Sequence, residues 1–237
     1  MLFLLHFACM RNQLPVTVHS STSDSTHFSA DHQVEQWLLE PKPSSINADR
    51  EANLLDLAAW IQERITAGLS ADLIFVCTHN SRRSHISQLW TQAAAAHLEL
   101  GTVMTYSGGT EATAFNPRAI KALQSHGFVI EASDLVLGEQ NTVYNTVFSS
   151  EAKSIQSFSK RYDHEANPSA DFAAVMVCGT ADRSCPVVKG AETRISIPYI
   201  DPKLSDGTPQ EEAIYLAKSE EIGREMVWML KQVSLER

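Results

Sequence analysis

The chain has 237 residues, 43% of them hydrophobic and 20% charged, enough for one substantial α/β core with an appendage. A formal net charge of -9, with no Lys/Arg block to relieve it, excludes a nucleic-acid footprint. No apolar run reaches the length that spans a bilayer, and four cysteines in a chain of this size do not make a disulfide framework.

Residues 1–10 are apolar but have no basic stretch before them and no clear small-residue cleavage site after them. They read either as a weak signal peptide or as a disordered or mis-started N-terminus. Residues 11–32, rich in Ser, Thr, His and Asp, lack periodicity, so 1–32 is expected to be a disordered lead. A short helix is expected over 33–40, ended by Pro41 and Pro43. Residues 47–67 place Leu54, Leu57, Ala58, Ile61 and Ile65 at helical spacing behind Asn47 or Asp49 as cap. Together 33–70 form a helical extension packed on a main domain of residues 71–237.

In that domain, 73–76 reads as a buried strand, followed by a helix with Ile86, Leu89, Trp90, Ala93 and Ala94 on one face. A second strand over 103–107 ends in Gly108-Gly109. The next helix starts near Asn116-Pro117, with proline in its first turn, and closes near Gly127. Residues 141–162 read as a hairpin inserted before a third strand at 173–177. A fourth strand follows at 195–198, and a last helix runs over about 209–233. The alternation implies an α/β three-layer sandwich around a four-stranded parallel sheet, its site at the strands' C-terminal edge.

Three constellations fall at that edge. The first is Cys77-Thr-His-Asn-Ser-Arg-Arg83-Ser84, between the first strand and its helix. Loop amides and a helix N-terminus there gather anions and favour a thiolate, and Arg83 offers a fork that fits a tetrahedral oxyanion. The competing reading is a structural cysteine at a strand end. The second is Asp201-Pro202, after the fourth strand: a turn dipeptide, or a carboxylic acid placed to protonate a departing oxygen. The third is Cys178-Gly-Thr-Ala-Asp-Arg-Ser-Cys185. Its spacing and the lack of a second pair argue against zinc, and no metal site is expected. The two cysteines read either as buried spectators or as a redox pair on a mobile loop. With Cys9 set aside, the three remaining thiols suit a reducing cytoplasm.

Together these residues resemble the low-molecular-weight protein tyrosine phosphatase superfamily, and within it the thioredoxin-coupled arsenate reductases. The resemblance covers roughly residues 72–233. It rests on Val76 to Ser84, Tyr106-Ser-Gly-Gly-Thr-Glu-Ala112, Phe115-Asn-Pro117, Val177 to Pro186 and Asp201-Pro202. It implies that fold and an arsenic-resistance activity. Cys77 would attack arsenate held by the loop over Thr78, His79, Asn80, Ser81, Arg82, Arg83 and Ser84, while Asp201 protonates the leaving oxygen. Ser84 would hydrogen-bond the thiolate, and Asn80 would hold the loop's strained backbone. Cys178 would then attack Cys77, and Cys185 would shift the disulfide to Cys178–Cys185 for thioredoxin, an external reductant, with no bound cofactor.

The chain departs from the family pattern in four places. His79 and Arg82 replace uncharged loop residues; Arg82 either adds positive charge to the loop or points outward. Gln88 stands where potassium-binding relatives carry a carboxylate, so that ion site is not expected. Lys203 follows Asp-Pro where many tyrosine phosphatases carry an aromatic. The alternative activities are a phosphatase working through a cysteinyl phosphate and a non-enzymatic oxyanion or redox sensor.

Overall fold

The computed structural model describes residues 29–185 and 187–233; the lead up to residue 28, with Cys9, lies outside the described residues. Helix α1 (Ala30–Leu38) starts before the expected residue 33, because Ser29 Oγ caps it by accepting from His32 N at 3.3 Å. Helix α2 (Ala48–Thr66) is capped by Asn47, whose Oδ1 accepts from Arg50 N at 2.9 Å. Strand β1 (Ala71–Cys77) leads into α3 (Arg83–His97), and β2 (Val103–Gly109) into α4 (Pro117–Ser125).

The segment before the third expected strand differs from the sequence reading. It is a three-stranded antiparallel sheet of β3 (Val129–Leu137), β4 (Asn141–Val147) and β5 (Ile155–Ser157). The expected hairpin within 141–162 is present as β4–β5, with Tyr144 opposite Ser157 and Thr146 opposite Ile155; the added strand is β3, which turns into β4 near Gly138. Strand β6 (Phe172–Met176) follows, then a six-residue helix α5 (Gly179–Ser184), β7 (Ala191–Ser196), a 3-10 turn (Pro202–Ser205) and α6 (Glu211–Leu230). Strand β7 begins before the expected residue 195, yet Ile197 and Tyr199 still donate to Met176 and Val177 beyond its end.

The main sheet is parallel, in the order β2-β1-β6-β7. Central strands β1, from Leu73 onward, and β6 are apolar because helices cover both faces. Helix α3 lies between sheet and α6, so even its polar side chains are buried. Ser87 and Thr91 return their hydroxyls to the carbonyls of Arg83 and Ser87 at 2.8 and 2.7 Å. Trp37 of α1 meets Trp90 of α3 with ring centroids 4.5 Å apart, and Gly223 of α6 fits beneath them. A Cβ there would stand 2.5 Å from Trp37. Buried residues of α1 and α2 thus belong to the same hydrophobic core as the sheet. No described helix is long and apolar enough to cross a membrane.

Candidate active site

The loop from Cys77 to Ser84 joins the C-terminal end of β1 to the N-terminus of α3. Its carbonyls are all turned outward and occupied. Those of Cys77 and Thr78 accept from Thr110 N and Glu111 N, at 3.1 and 2.8 Å. His79 O accepts from Ser159 Oγ at 2.9 Å, Asn80 O from the His85 ring at 3.1 Å, and Ser81 O from Asn116 N at 2.9 Å. Among the described residues no main-chain N–H from His79 to Ser84 donates to a protein acceptor. With the start of α3 behind them, these N–H groups form a ready anion cradle. Gly109 lets β2 approach this loop: a Cβ on it would come within 2.7 Å of Asn80 N and Thr78 O.

Asn80 takes the left-handed conformation, φ +43°, which its side chain compensates on both sides. Its Oδ1 accepts from Lys160 N at 2.8 Å, and its Nδ2 donates to Ser84 Oγ at 2.9 Å. The Ser84 hydroxyl is then free to donate to Cys77 Sγ, 3.1 Å away. Hydrogen bonds polarised in one direction therefore run from the Lys160 amide to the Cys77 sulfur.

The Arg83 side chain is buried, donating from Nη1 to Tyr199 O at 2.9 Å and from Nη2 to Asp201 Oδ2 at 2.6 Å. Its Nε is buried without a partner among the described residues. Asp201 Oδ1 accepts from Lys203 N at 3.1 Å, so both carboxylate oxygens are engaged. Of the two readings for Arg82, the outward-pointing one fails: it donates to Tyr215 Oη at 2.8 Å and lies 3.5 Å from Asp206 Oδ2, which matches its charge. His79 leans outward toward Glu111 at 3.7 Å, and Ser81 Oγ donates to Ala114 O at 2.7 Å. Those two contribute main-chain N–H groups to the cradle, not side chains.

Cys178 ends the loop after β6 with its Sγ 3.3 Å from Thr78 Oγ1. Burial alone would raise this thiol. The Thr78 hydroxyl, the N–H groups of Ala181 and Thr180 and the charge of Arg83 outweigh it and lower the pKa. Helix α5 separates Cys178 from Cys185, so the expected mobile loop is a helical turn here. Cys185 is half-buried, with its Sγ 3.4 Å from Val187 O, and all three described cysteines are free. The structure thus brings Cys77, Arg83, Asp201 and Cys178 together at the sheet edge. Cys185 stands one short helix away. Among the described residues, no group of three or more His, Cys, Asp or Glu side chains could hold a metal.

Sequence reasoning missed Ser159, Lys160 and Tyr199, which hold the loop and Arg83. Their contribution is a main-chain group or a lone hydroxyl delivered by the chain path, for which no residue pattern exists.

Residues 72–142 match the family model for low molecular weight phosphotyrosine protein phosphatase. An arsenate reductase from Halalkalibacterium halodurans is 28% identical over 156 residues, 64% of this chain and 89% of that protein. One from Bacillus subtilis is 28% identical over 158 residues, 65% of this chain and 91% of that protein. Among solved structures, a low-molecular-weight protein tyrosine phosphatase from T. tengcongensis aligns with a TM-score of 0.45 at 19% identity, covering 69% of this chain and 97% of that one. The family model spans the Cys77 loop and the curated relatives align over most of their own length, so the chain is similar to low-molecular-weight phosphotyrosine protein phosphatases over that segment and to arsenate reductases over about two thirds of its length.

Proposed function

We propose that this chain reduces arsenate to arsenite through a relay of Cys77, Cys178 and Cys185, recharged by thioredoxin or a similar dithiol. Its relatives make it an enzyme of oxyanion chemistry, an arsenate reductase or a low-molecular-weight phosphatase. The observation that carries the first reading is the second thiol. Cys178 hydrogen-bonds Thr78 at the mouth of the Cys77 loop and is held toward its thiolate, a provision that phosphoester hydrolysis does not need.

The chemistry runs as follows. Arsenate enters the cradle of N–H groups and meets the unpartnered Arg83 Nε. Asp201 lets go of Arg83 Nη2, takes up a proton and delivers it to an arsenate oxygen, which leaves as water when the Cys77 thiolate forms the sulfur–arsenic bond. The Cys178 thiolate then attacks Cys77 Sγ. The sulfur–arsenic bonding pair stays on arsenic, which falls from the +5 to the +3 state and departs as arsenite, leaving a Cys77–Cys178 disulfide. Cys185 attacks Cys178 and frees Cys77. The Cys178–Cys185 disulfide takes two electrons from the external dithiol, and no bound cofactor takes part. Ile200 and Leu204, exposed on either side of Asp201, offer apolar contact to a protein partner. Such a cycle belongs in a reducing compartment, the cytoplasm.

The test is arsenate-dependent NADPH oxidation with thioredoxin and thioredoxin reductase. Cys178→Ser should abolish turnover while p-nitrophenyl phosphate is still cleaved at a rate within about threefold of wild type, since hydrolysis needs only Cys77, Arg83 and Asp201. Unchanged arsenate turnover in the variant would sink the relay. A wild type inert to arsenate but active on the phosphoester would make the chain a phosphatase.

A further inference from the structure

A cavity of about 860 Å³ opens beside the outer strand β2, between α3 and the antiparallel sheet, away from the chemistry proposed for Cys77. Its volume lies in the range of small-molecule sites. Two side chains in its wall are more than nine-tenths buried and incompletely matched. Lys160 is 5% exposed. Among the described residues its Nζ meets no carboxylate or carbonyl, only the Phe158 ring with the centroid 4.5 Å away. Gln88 is 3% exposed; its Nε2 donates to Thr105 O at 3.1 Å, but its Oε1 has no partner among the described residues.

A buried ammonium without a counter-charge and a buried amide oxygen without a donor are both costly arrangements. Burial pushes the Lys160 ammonium down to about 8. Its charge, after burial itself, also keeps the His85 ring neutral. The two groups ask for complementary things, an anionic oxygen and an O–H or N–H. Phe148 and Phe158 add apolar wall. Asp31 in the lining is matched by His97 at 2.8 Å, whereas exposed Glu99 and Glu151 line the same cavity with one exposed lysine, Lys153. A second negative charge on a ligand would therefore be repelled.

We infer that this cavity binds a small organic monocarboxylate that also carries a hydroxyl or amide donor, its carboxylate on Lys160 Nζ and its donor on Gln88 Oε1. Inorganic phosphate or arsenate fits worse, since its second charge would enter a cavity that Glu99 and Glu151 also line and it has no apolar body to cover the phenyl rings. The cavity is separate from the Cys77 loop but joined to it by hydrogen bonds. The Lys160 main-chain N–H heads the hydrogen-bond chain through Asn80 and Ser84 to Cys77 Sγ, so a ligand that fixes Lys160 also acts on the loop.

Mandelate, an α-hydroxy monocarboxylate with a phenyl ring, is the probe, titrated calorimetrically into the full chain at pH 8 in two buffers of different ionisation enthalpy. Saturable binding is expected, with uptake of up to about half a proton, because the carboxylate holds Lys160 protonated. Lys160→Met should weaken binding at least about tenfold and remove the proton uptake, and Gln88→Leu should weaken it about three- to tenfold. Inorganic phosphate held in the Cys77 cradle should not exclude mandelate. No saturation by about 10 mM, equal affinity in Lys160→Met, or strict competition between phosphate and mandelate would overturn the site. Absence of proton uptake in the wild type would do so even if a variant failed to fold.

Discussion

Lys160 shows how a single residue can serve the site and burden the fold at once. Its main-chain N–H supports Asn80, while its ammonium sits buried against Phe158 without a carboxylate. The displacement from 10.5 to about 8, caused by burial, corresponds to about 3 kcal/mol of stability withheld at neutral pH. The unfolded chain keeps this proton up to about 10.5 and the folded chain releases it near 8. The unfolded state therefore binds more protons across that window, and stability rises with pH through it. Lys160→Met keeps the main-chain bond and removes the charge. It should be more stable than wild type at pH 7, by up to about 3 kcal/mol, with the advantage shrinking as pH rises from 8 toward 10.5. Urea denaturation of both proteins at pH 7 and at pH 10 measures this, and a gap that does not change with pH would refute the assignment.

At the scale of elements, the Cys77 loop, the segment carrying Asp201 and helix α6 are held as one unit by Arg82. Its Nε donates to Tyr215 Oη at 2.8 Å, and Tyr215 Oη donates to Asp206 Oδ1 at 2.7 Å. Burial and the adjacent Asp206 push the Tyr215 hydroxyl up to about 12, so it remains a donor throughout the working pH range. Tyr215→Phe removes the bridge between loop and acid segment without touching Cys77, Arg83 or Asp201. Losing about 1–1.5 kcal/mol of positioning should lower kcat for p-nitrophenyl phosphate about tenfold while competitive inhibition by phosphate changes little. Equal loss in both would mean that the cradle itself had collapsed.

Arg82 also marks how far the sequence could be read. Strand β1, the loop and α3 were legible because an apolar run, a Cys-to-Arg spacing and a helical stripe are local patterns. Cys77, Arg83, Ser84, Asp201 and Cys178 converge as the parallel topology implies. Where Arg82 points depends on Tyr215 and Asp206, more than a hundred residues away, so sequence left its direction open. Strand β3 was illegible for another reason. Val129, Leu135 and Val136 are each about half exposed, so it lacks the alternation of buried and exposed positions that announces a strand.

For the molecule as a whole, α2 belongs to the site's support and not merely to the surface of the core. Arg50 is ion-paired at 2.8 Å with Glu225 of α6, which is fully buried. Its guanidinium also donates to Pro198 O at 2.6 Å and stacks 4.2 Å over the Tyr199 ring. Tyr199 Oη donates to Glu225 Oε2 at 2.9 Å, and burial together with that carboxylate raises its pKa well above the ordinary tyrosine value. The same Tyr199 offers its carbonyl to Arg83. Arg50 thus fixes the stretch from which both the Arg83 anchor and Asp201 hang. Arg50→Leu strands the Glu225 charge and should cost about 3–5 kcal/mol, because a buried carboxylate without its cation is far worse than no pair at all. Adding Glu225→Leu removes that charge and should restore most of the stability measured in urea. It cannot restore the hold on Pro198 and Tyr199, so kcat should stay about tenfold or more below wild type in the stable double variant. Recovery of activity along with stability would mean that α2 acts through the core alone. A stable protein that remains slow would place the N-terminal extension among the determinants of the reaction.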